Sequence, residues 1–494
     1  MTAPPPLFNM AASVLAQAGA RADHAALIVP GDVTLTFAQV ESAVLGTATG
    51  LLRHARPGDR ILMRLGNTPD FPVSYLAAIA AGLIPVPTSS QLTVAEVTHI
   101  AAEVRPRLVI QSDQVAAPEQ ALPSVDLATL RGWRDLPPAT YDMGDPNRAA
   151  YIIYTSGTSG KQRAVVHAHR AIWARRMMWD GWYGLRADDR LMHAGAFNWT
   201  YTLGTGLMDP WSVGATAVIP APGTDPAALP ALLAQTGATI FAAAPGVYRK
   251  LLRADVPPMP HLRHGLSAGE KLPQTVADDW LTKTGTPVFE AFGMSECSTF
   301  ISGSPDRPAP QGSLGFAQPG RNVALLGPEG PVVTGQTGTI AIHRDDPGLM
   351  MGYFDQPIET AAKYLGDWFL TGDEGIADES GAITYAGRAD DMMNAGGIRV
   401  SPVEVEEVLI NHPQITEVAC AEVKVQGDLT LIAAFYCAPD VLDDADLRSF
   451  ARQTLAPYKV PRLYQRVDQL PRGANNKLLR RQLRQEWEAA HGQT

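Results

Sequence analysis

Cysteine is scarce in this sequence. Cys297, Cys420 and Cys437 are the three cysteines among 494 residues. They lie far apart along the chain, so neither a disulfide framework nor a zinc cluster is expected. Cys297 is interpreted as a small packing residue rather than as a nucleophile.

The sequence also lacks a long hydrophobic run and a secretory leader. Its longest apolar run, from Tyr75 to Val86, is shorter than the roughly 20 residues that span a bilayer. The first six residues, Met1 to Pro6, lack the basic stretch and apolar core of a signal peptide. We therefore expect a cytoplasmic protein without an integral membrane segment.

Charge of one sign does not dominate the chain. Lys and Arg total 40 and Asp and Glu total 50, which gives a formal net charge of -10. No long run of like charge occurs, and a nucleic-acid-binding protein would need a basic patch. Hydrophobic residues at 46% and charged residues at 18% exclude a disordered chain or a coiled coil.

Short apolar runs alternate with amphipathic stretches through most of the chain, which favours an α/β architecture with largely parallel sheets. Helices are predicted over Phe37–Arg53 and Pro226–Thr236, the second with Asp225 as N-cap. The predicted buried strands are Arg60–Leu65, Arg107–Gln111, Ala149–Tyr154, Ala215–Ile219, Thr239–Ala244 and Pro287–Phe292.

The last third of the chain has a different pattern of predicted secondary structure. Residues Phe316–Tyr385 form short strand-like pieces typical of an antiparallel β region. A separate α+β domain is predicted from about residue 390, so that the expected domains are 1–389 and 390–494. Its first helix is predicted to begin with Ser401 as N-cap, Pro402 at N1 and a capping box closed by Glu404. Its further predicted elements are strands Glu417–Val423, Thr430–Tyr436 and Leu463–Val467, helix Ala445–Leu455 and a helix from about Leu478.

The most informative segment runs from Tyr154 to Lys161, with the sequence YTSGTSGK. An apolar strand runs directly into a loop of glycine and hydroxyl residues that ends on a lysine. Glycines let backbone N–H groups approach an anion, and the hydroxyls supply further donors. The alternative is a flexible linker. A Walker A loop is excluded, because Gly157 and Gly160 are too close together and Gln162 follows the lysine.

This loop resembles the phosphate-binding signature of the adenylate-forming superfamily, which includes acyl-CoA synthetases, peptide-synthetase adenylation domains and luciferases. Further segments resemble the family's motifs in the family's order. They are Gly269–Leu272, Phe292–Glu296, Thr371–Asp373, Gly387–Asp391, Leu455–Lys459 and Leu470–Arg472, which lead to Lys477.

The resemblance covers nearly the whole chain, and it implies both a fold and an activity. The expected fold is a large N-terminal domain of parallel α/β sheets plus a small β region, with a smaller mobile α+β C-terminal domain. The expected activity is that of an ATP-dependent acid–CoA ligase, an AMP-forming acid–thiol ligase. ATP, Mg²⁺ and CoA are the expected cofactors, a small carboxylic acid is the expected partner, and a homodimer is left open.

The resemblance also implies the roles of individual residues in nucleotide binding. Phe292 would stack on adenine, and the Asp373 carboxylate would accept hydrogen bonds from the ribose hydroxyls. The guanidinium of Arg388 would donate hydrogen bonds to ribose or phosphate oxygens. The full set of expected nucleotide- and CoA-binding residues is Thr155, Ser156, Gly157, Thr158, Ser159, Gly160, Lys161, Gly269, Glu270, Lys271, Glu290, Ala291, Phe292, Gly293, Met294, Ser295, Asp373, Arg388, Gly396 and Gly397.

Three residues are the expected catalytic groups. Lys477 would bridge the acid's carboxylate and the α-phosphate and so relieve the repulsion between two anions. Glu296 resembles the family's Mg²⁺-associated carboxylate, and Arg399 resembles its phosphate-contacting arginine. Asp390 resembles the hinge residue of the C-terminal domain. Gly396 and Gly397 resemble the loop past which CoA reaches the acyl-adenylate, where a side chain would block the approach.

The sequence departs from the family's pattern at several places. Gln162, Arg163 and Ala164 stand where Pro-Lys-Gly is usual, so that Arg163 keeps a charge. Ser159 and Ser295 replace common threonines. Asn476 replaces the usual glycine before Lys477, and asparagine tolerates left-handed backbone better than most residues.

The acid is expected to be a medium-chain aliphatic or aromatic one. The segment Ala196–Trp199 offers no aspartate for an amino acid's ammonium group. Gly293 stands where acetate-specific relatives carry tryptophan, which predicts a pocket larger than propionate. The expected pocket residues are Trp199, Tyr201, Ala243, Ala244, Gly269 and Gly293.

Two main alternatives remain open at this point, beside that of a non-catalytic nucleotide-binding protein. One is a stand-alone adenylating enzyme that loads the thiol of a carrier protein. The other is a serine hydrolase, since Gly265–Gly269 has the nucleophile-elbow pattern around Ser267, with Asp373 and His412 in a suitable chain order. His167 and His169 could ligate a metal, but core or surface histidines are the expected interpretation.

Overall fold

The computed structural model describes residues 3–155, 163–389, 391–395, 398–426, 429–455, 457, 459–473 and 478–491. The chain divides into two compact units. The first unit comprises residues 1–155, 162–322 and 343–367, and the second comprises 156–161, 323–342 and 368–494. The predicted domain boundary at residue 389 stays a prediction.

The described helices alternate with strands over most of the chain. The α-helices are α1 (Met10–Val14), α2 (Phe37–Leu51), α3 (Asp70–Ala80), α4 (Val94–Val104), α5 (Leu127–Gly132), α6 (Ala171–Met178), α7 (Thr200–Leu203), α8 (Asp209–Val213), α9 (Leu229–Thr236), α10 (Pro245–Leu251), α11 (Gln274–Thr284), α12 (Pro357–Ala361), α13 (Pro402–Leu409), α14 (Asp444–Arg452) and α15 (Arg480–His491).

The strands are β1 (Ala25–Val29), β2 (Val33–Thr36), β3 (Arg60–Arg64), β4 (Ile84–Pro87), β5 (Leu108–Gln111), β6 (Ser124–Asp126), β7 (Ala149–Thr155), β8 (Arg163–Ala168), β9 (Arg190–His193), β10 (Thr216–Val218), β11 (Ile240–Ala243), β12 (His264–Ala268), β13 (Val288–Met294), β14 (Ser298–Ser302), β15 (Phe316–Ala317), β16 (Val323–Gly327), β17 (Gly330–Pro331), β18 (Thr337–His343), β19 (Gly352–Tyr353), β20 (Tyr364–Leu365), β21 (Trp368–Ala377), β22 (Ile383–Arg388), β23 (Met393–Ala395), β24 (Ile398–Val400), β25 (Glu417–Gln426), β26 (Leu429–Cys437) and β27 (Leu463–Arg466).

The first unit is built around a nine-stranded sheet of order β15-β14-β13-β12-β11-β9-β10-β1-β2. The six inner strands, β13, β12, β11, β9, β10 and β1, pair in parallel with their neighbours. At the two edges of the sheet, β2, β14 and β15 pair antiparallel. A second, all-parallel sheet has the order β4-β3-β5-β6, and an antiparallel sheet has the order β19-β8-β7. The predicted mixed α/β fold with parallel sheets is confirmed.

In the second unit, antiparallel strands predominate. Strand β16 pairs with β17 and β18, and β21 pairs with β22. Further along, β25 and β26 form a long antiparallel pair to which β27 adds in parallel. Helices α13, α14 and α15 accompany this last sheet and enclose its apolar side chains.

Local sequence explains where several helices begin. Thr36 and Gln39 form a capping box at α2, and Asp225 caps a short 3₁₀ turn, Pro226–Ala228, that leads into α9. At α13 the predicted capping box is wrong in one half. Ser401 accepts the Glu404 N–H at 3.4 Å, but the Glu404 carboxylate pairs with Lys459 instead of closing the box.

The apolar segment Tyr75–Val86 lies in the hydrophobic core. It contributes the end of α3, which is buried along its whole length, and strand β4. Among the described residues, none of the helices combines the length and the apolar character needed to cross a bilayer.

Candidate active site

In the first unit, the parallel strands β11 and β12 end side by side next to the predicted pocket residues, and β13 continues past them to Met294. Ala243 pairs with Ser267 near the end of β11 and β12, and Ala268 pairs with Ala291 on β13. Ligands of open α/β sheets bind outside the carboxyl ends of such strands. The neighbouring residues in sequence, Ala244, Gly269 and Phe292, therefore follow directly at this edge.

The turn after β12 fits against Trp199. Gly269 has a φ of +97°, and a Cβ there would lie 2.7 Å from Cζ2 of Trp199. The backbone N–H of Leu272 donates to Oε1 of Glu290 at 3.1 Å, which ties this turn to β13. Burial raises the pKa of Glu290 to about 7, while the Leu272 N–H and Lys271 favour its charged form.

Trp199 and Tyr201 are in contact, as expected of pocket residues, but they differ in burial. Their ring centroids are 5.5 Å apart and nearly perpendicular. Trp199 is half-buried. Tyr201 is buried, stacks on Trp182 and donates its hydroxyl to the carbonyl oxygen of Leu266 at 3.1 Å. Trp199 is thus the more accessible of the two rings.

The hairpin of β13 and β14 carries the segment Phe292–Glu296. The half-buried ring of Phe292 contacts Phe300 edge to face at 5.5 Å. A bulge follows Phe292, so that a Cβ on Gly293 would lie 2.2 Å from the carbonyl oxygen of Ser298. The expectation that Gly293 leaves open space for the acid is therefore wrong, because the backbone of β14 occupies the place of its side chain.

Glu296 is buried and held in place by several contacts. The hydroxyl of Tyr353 donates to its Oε1 at 2.7 Å, and the N–H of Met350 donates to its carbonyl oxygen at 2.7 Å. The ring Nε2 of His167 bonds the carbonyl oxygen of the preceding Ser295, also at 2.7 Å. Within the part of the chain that the structure describes, Oε2 of Glu296 has no hydrogen-bond partner.

The loop that resembles a phosphate-binding signature lies mostly outside the described residues. This applies to Ser156, Gly157, Thr158, Ser159, Gly160, Lys161 and Gln162. Thr155 ends β7, and its Oγ1 accepts the N–H of Arg163 at 3.4 Å. The Arg163 side chain pairs with Glu359 at 3.0 Å and lies over the ring of Tyr353.

The second unit brings Asp373 and Arg388 together on the paired strands β21 and β22. Arg388 donates to Oδ2 of Asp373 at 3.4 Å, and the hydroxyl of Tyr385 donates to Oδ1 at 3.1 Å. Burial and the nearby Asp373 raise the pKa of Tyr385, so the hydroxyl stays a donor. Tyr385, in the second unit, and Tyr353, in the first, each donate to a predicted site residue of their own unit, and sequence reasoning missed both.

Asp390, Gly396, Gly397, Asn476 and Lys477 lie outside the described residues, as do Ala456 and Tyr458. Arg399 is described through its backbone alone, as a residue of β24. The roles expected for these residues stay predictions.

The hydrolase alternative is wrong. Ser267 lies within strand β12 rather than on a turn between strand and helix, and it is fully buried. Its hydroxyl makes no hydrogen bond to any described residue, so no histidine there activates it. Burial also raises the pKa of the Cys297 thiol well above its usual value, which agrees with a packing role.

The predicted structural interpretation of the two histidines agrees with their contacts. His167 bonds Ser295, and His169 accepts the N–H of Met10 at 3.0 Å. Burial lowers the pKa of His167 to about 4 and that of His169 to about 3. Among the residues described, no group of three or more His, Cys, Asp or Glu side chains is arranged to hold a metal ion.

Comparison with known proteins assigns the family. The profile described as "AMP-binding enzyme" matches residues 14–354, and "AMP-binding enzyme C-terminal domain" matches residues 404–477. The chain belongs to the family of AMP-binding enzymes. The predicted resemblance to the adenylate-forming superfamily is thereby confirmed.

Two relatives of this AMP-binding enzyme are described as a CoA ligase and an acyl-coenzyme A synthetase. It is 30% identical to a benzoate–CoA ligase of Thauera aromatica, over 90% of this chain and 88% of the relative. It is also 30% identical to the human mitochondrial acyl-coenzyme A synthetase ACSM2A, over 91% of this chain and 83% of the relative. The prediction of an AMP-forming acid–thiol ligase is confirmed by these matches.

Solved structures agree with this assignment. A benzoate CoA ligase from Burkholderia xenovorans matches with a TM-score of 0.84 and 28% identity, over 97% of this chain and 100% of the other. The anthranilate CoA ligase AuaEII, solved in complex with anthranoyl-AMP, matches with a TM-score of 0.87 and 26% identity, over 99% of both chains.

Proposed function

We propose that this protein is an ATP-dependent acid–CoA ligase whose substrate is an aromatic or medium-chain carboxylic acid. The observation that carries the proposal is the arrangement at the ends of β11, β12 and β13. An accessible indole, Trp199, lies against the Gly269 turn there. Glu296 follows the β13 strand with one carboxylate oxygen held by Tyr353.

The first half-reaction is the attack of the acid's carboxylate oxygen on the α-phosphorus of ATP. The bond from that phosphorus to the bridging oxygen breaks, and pyrophosphate leaves with the bonding electrons. Two anions must approach one another, so a cation between them lowers the barrier. Lys477 and Arg399 are the residues proposed to supply that positive charge.

Glu296 is the residue proposed to hold Mg²⁺. Magnesium is bound by one or two carboxylates together with phosphate oxygens. The buried Glu296 carboxylate, whose Oε2 accepts no hydrogen bond from any described residue, suits this requirement. The ion, when bound, neutralises charge on the phosphates. Asp373 and Arg388 are proposed to hold the ribose, and Phe292 the adenine.

The second half-reaction transfers the acyl group to CoA. The thiolate attacks the acyl carbon, the carbon–oxygen bond to AMP breaks, and AMP leaves. Gly396 and Gly397 are proposed to let the pantetheine pass close to the backbone, and Asp390 is proposed as the hinge between the half-reactions. ATP and CoA are substrates in this scheme.

The acid class rests on the character of the pocket and on the relatives. A tryptophan edge and an alanine-lined strand end suit an apolar ring or chain better than a charged one. The relatives named above act on benzoate, anthranilate or acyl groups, by their descriptions. Because Gly293 provides no space, Trp199 rather than Gly293 is proposed to set the size of the acid.

The test is a panel of acetate, butyrate, hexanoate, octanoate, benzoate and anthranilate, with pyrophosphate release and loss of the CoA thiol measured in the same reactions. Both signals should appear in equal amounts with hexanoate or benzoate and require ATP. Lys477→Ala should lose pyrophosphate release while still forming thioester from supplied acyl-adenylate. Pyrophosphate release without thiol loss would contradict a CoA acceptor and favour a carrier-protein thiol.

A further inference from the structure

Tyr353 reaches the carboxylate of Glu296 from a different part of the chain. It lies on the two-residue strand β19, which pairs with β8 directly after the loop that resembles a phosphate-binding signature. Its hydroxyl donates to Oε1 of Glu296 at 2.7 Å, across 57 residues of sequence. Both residues belong to the first unit and both are buried.

Tyr353 is itself fixed from three sides. Its backbone pairs with Val165 on β8, and its N–H donates to Oγ1 of Thr360 at 2.9 Å. The guanidinium of Arg163 lies 5.3 Å from the centre of its ring and is held there by Glu359 at 3.0 Å. A ring restrained in this way presents its hydroxyl at one place, as a pre-organised donor does.

The hydroxyl can act only as a donor toward Glu296. At neutral pH a phenol keeps its proton and an ionised carboxylate only accepts, so the Tyr353 hydroxyl donates to Oε1 of Glu296. One carboxylate oxygen of Glu296 is thus occupied and the orientation of the group is fixed. None of the described residues donates a hydrogen bond to the other oxygen, Oε2.

We propose that Tyr353 is a positioning residue that orients the Glu296 carboxylate for Mg·ATP, with Arg163 holding the Tyr353 ring in place. This inference rests on the proposed function. It also gives a role to the arginine that stands where the family usually has lysine. Arg163 acts here through the tyrosine and not as a free cation.

The test compares wild type with Tyr353→Phe, which removes the hydroxyl and keeps the ring. Hydrogen bonds to charged groups contribute enough to predict a loss of about 10- to 100-fold in pyrophosphate release. Calorimetric binding of Mg·ATP should weaken by a similar factor, whereas binding of ATP in the presence of EDTA should change less than about twofold. Thioester formation from supplied acyl-adenylate should persist.

A matched control is Tyr141→Phe. Tyr141 donates to the carboxylate of Glu41 at 3.0 Å in the same unit, away from the predicted site. This variant should keep both pyrophosphate release and Mg·ATP binding. Equal losses in the two variants would overturn the proposal, because they would indicate a merely structural effect.

A double-mutant cycle isolates the pair. In a Glu296→Gln background, Tyr353→Phe should have little further effect on Mg·ATP binding, since the group it orients has lost its charge. Fully additive losses would overturn the proposal. A wild type that releases no pyrophosphate with any acid would contradict the proposed function instead, and the Mg·ATP binding data would still decide the role of Tyr353.

Discussion

The indole of Trp199 lies where a side chain on residue 269 would have to lie. Its Cζ2 and Cη2 atoms are 2.7 and 2.8 Å from the position that a Cβ on Gly269 would take, and Gly269 has a φ of +97°. Glycine is therefore required twice at this turn, for its backbone conformation and for the close approach of the ring.

Replacing Gly269 by alanine should therefore cost more than backbone strain alone. Gly285, with a φ of +72° and no atom within 4 Å of a Cβ position, provides the matched control for strain. Gly285→Ala should lower the free energy of unfolding by about 1–2 kcal/mol and leave pyrophosphate release unchanged. Gly269→Ala should lose both stability and pyrophosphate release. Identical behaviour of the two variants would show that the Trp199 contact is unimportant.

Trp199→Ala should shift the preference of the enzyme toward longer or larger acids. Removing the indole opens space in an apolar pocket, and each methylene buried there is worth about 0.8 kcal/mol, or roughly fourfold in kcat/KM. The measurement is kcat/KM for the acids from butyrate to decanoate and for benzoate, in both proteins. A profile that falls equally for all acids would contradict a role of Trp199 in setting their size.

Breaking a buried ion pair should destabilise the first unit more than breaking an exposed one. Arg175 donates to Asp209 through Nε at 2.9 Å and Nη2 at 2.5 Å, and both side chains are almost fully buried. Arg175→Leu leaves the buried Asp209 carboxylate without its cationic partner and should lower the free energy of unfolding by about 3–5 kcal/mol. Arg105→Leu, in an exposed pair with Asp355, should cost about 1 kcal/mol or less. Urea unfolding followed by tryptophan fluorescence compares them, and equal effects would be contrary to this account.

The buried His169 should make the protein less stable in mild acid. Burial, followed by the nearby Arg148, lowers its pKa from 6.5 to about 3, and its Nδ1 accepts the Met10 N–H. Between those values the unfolded chain binds a proton that the native protein does not. The contribution of His169 alone should therefore lower the free energy of unfolding by about 1.4 kcal/mol for each pH unit below 6.5.

His169→Asn keeps an acceptor near the Met10 N–H and removes the titrating group. Its free energy of unfolding, measured by denaturant titration at pH 7, 6 and 5, should decline less steeply than that of wild type by about that one-proton slope. Parallel curves for the two proteins would mean that His169 takes up a proton in the native state.

The buried strands could be predicted from the sequence. A strand that is buried on both faces is apolar at successive positions, so it appears in the sequence as a short apolar run. Segments such as Thr239–Ala244 needed no tertiary information, and β11 lies within that range. The site was predictable where a motif is contiguous, as at Phe292–Glu296. Tyr353 was not, because its partner Glu296 is 57 residues away and nothing in Gly352–Tyr353 signals a carboxylate.

Gly293 shows a different limit of sequence reasoning. The absence of a side chain predicts space, but the same absence permits a neighbouring strand to approach. The bulge after Phe292 brings the carbonyl oxygen of Ser298 to 2.2 Å from the place of a Cβ, and only the pairing register of β13 with β14 reveals it. The sequence alone does not show whether a glycine leaves open space or allows a neighbouring strand to approach.

The central claim is that the acid is activated as an acyl-adenylate before CoA attacks. The most direct measurement uses hexanoate or benzoate labelled with ¹⁸O in both carboxylate oxygens, with ATP, Mg²⁺ and CoA, and mass spectrometry of the products. The account predicts that AMP gains one labelled oxygen, because the acid's own oxygen stays on the α-phosphorus when the thioester forms, and that pyrophosphate gains none. Unlabelled AMP, or formation of ADP and phosphate in its place, would contradict it.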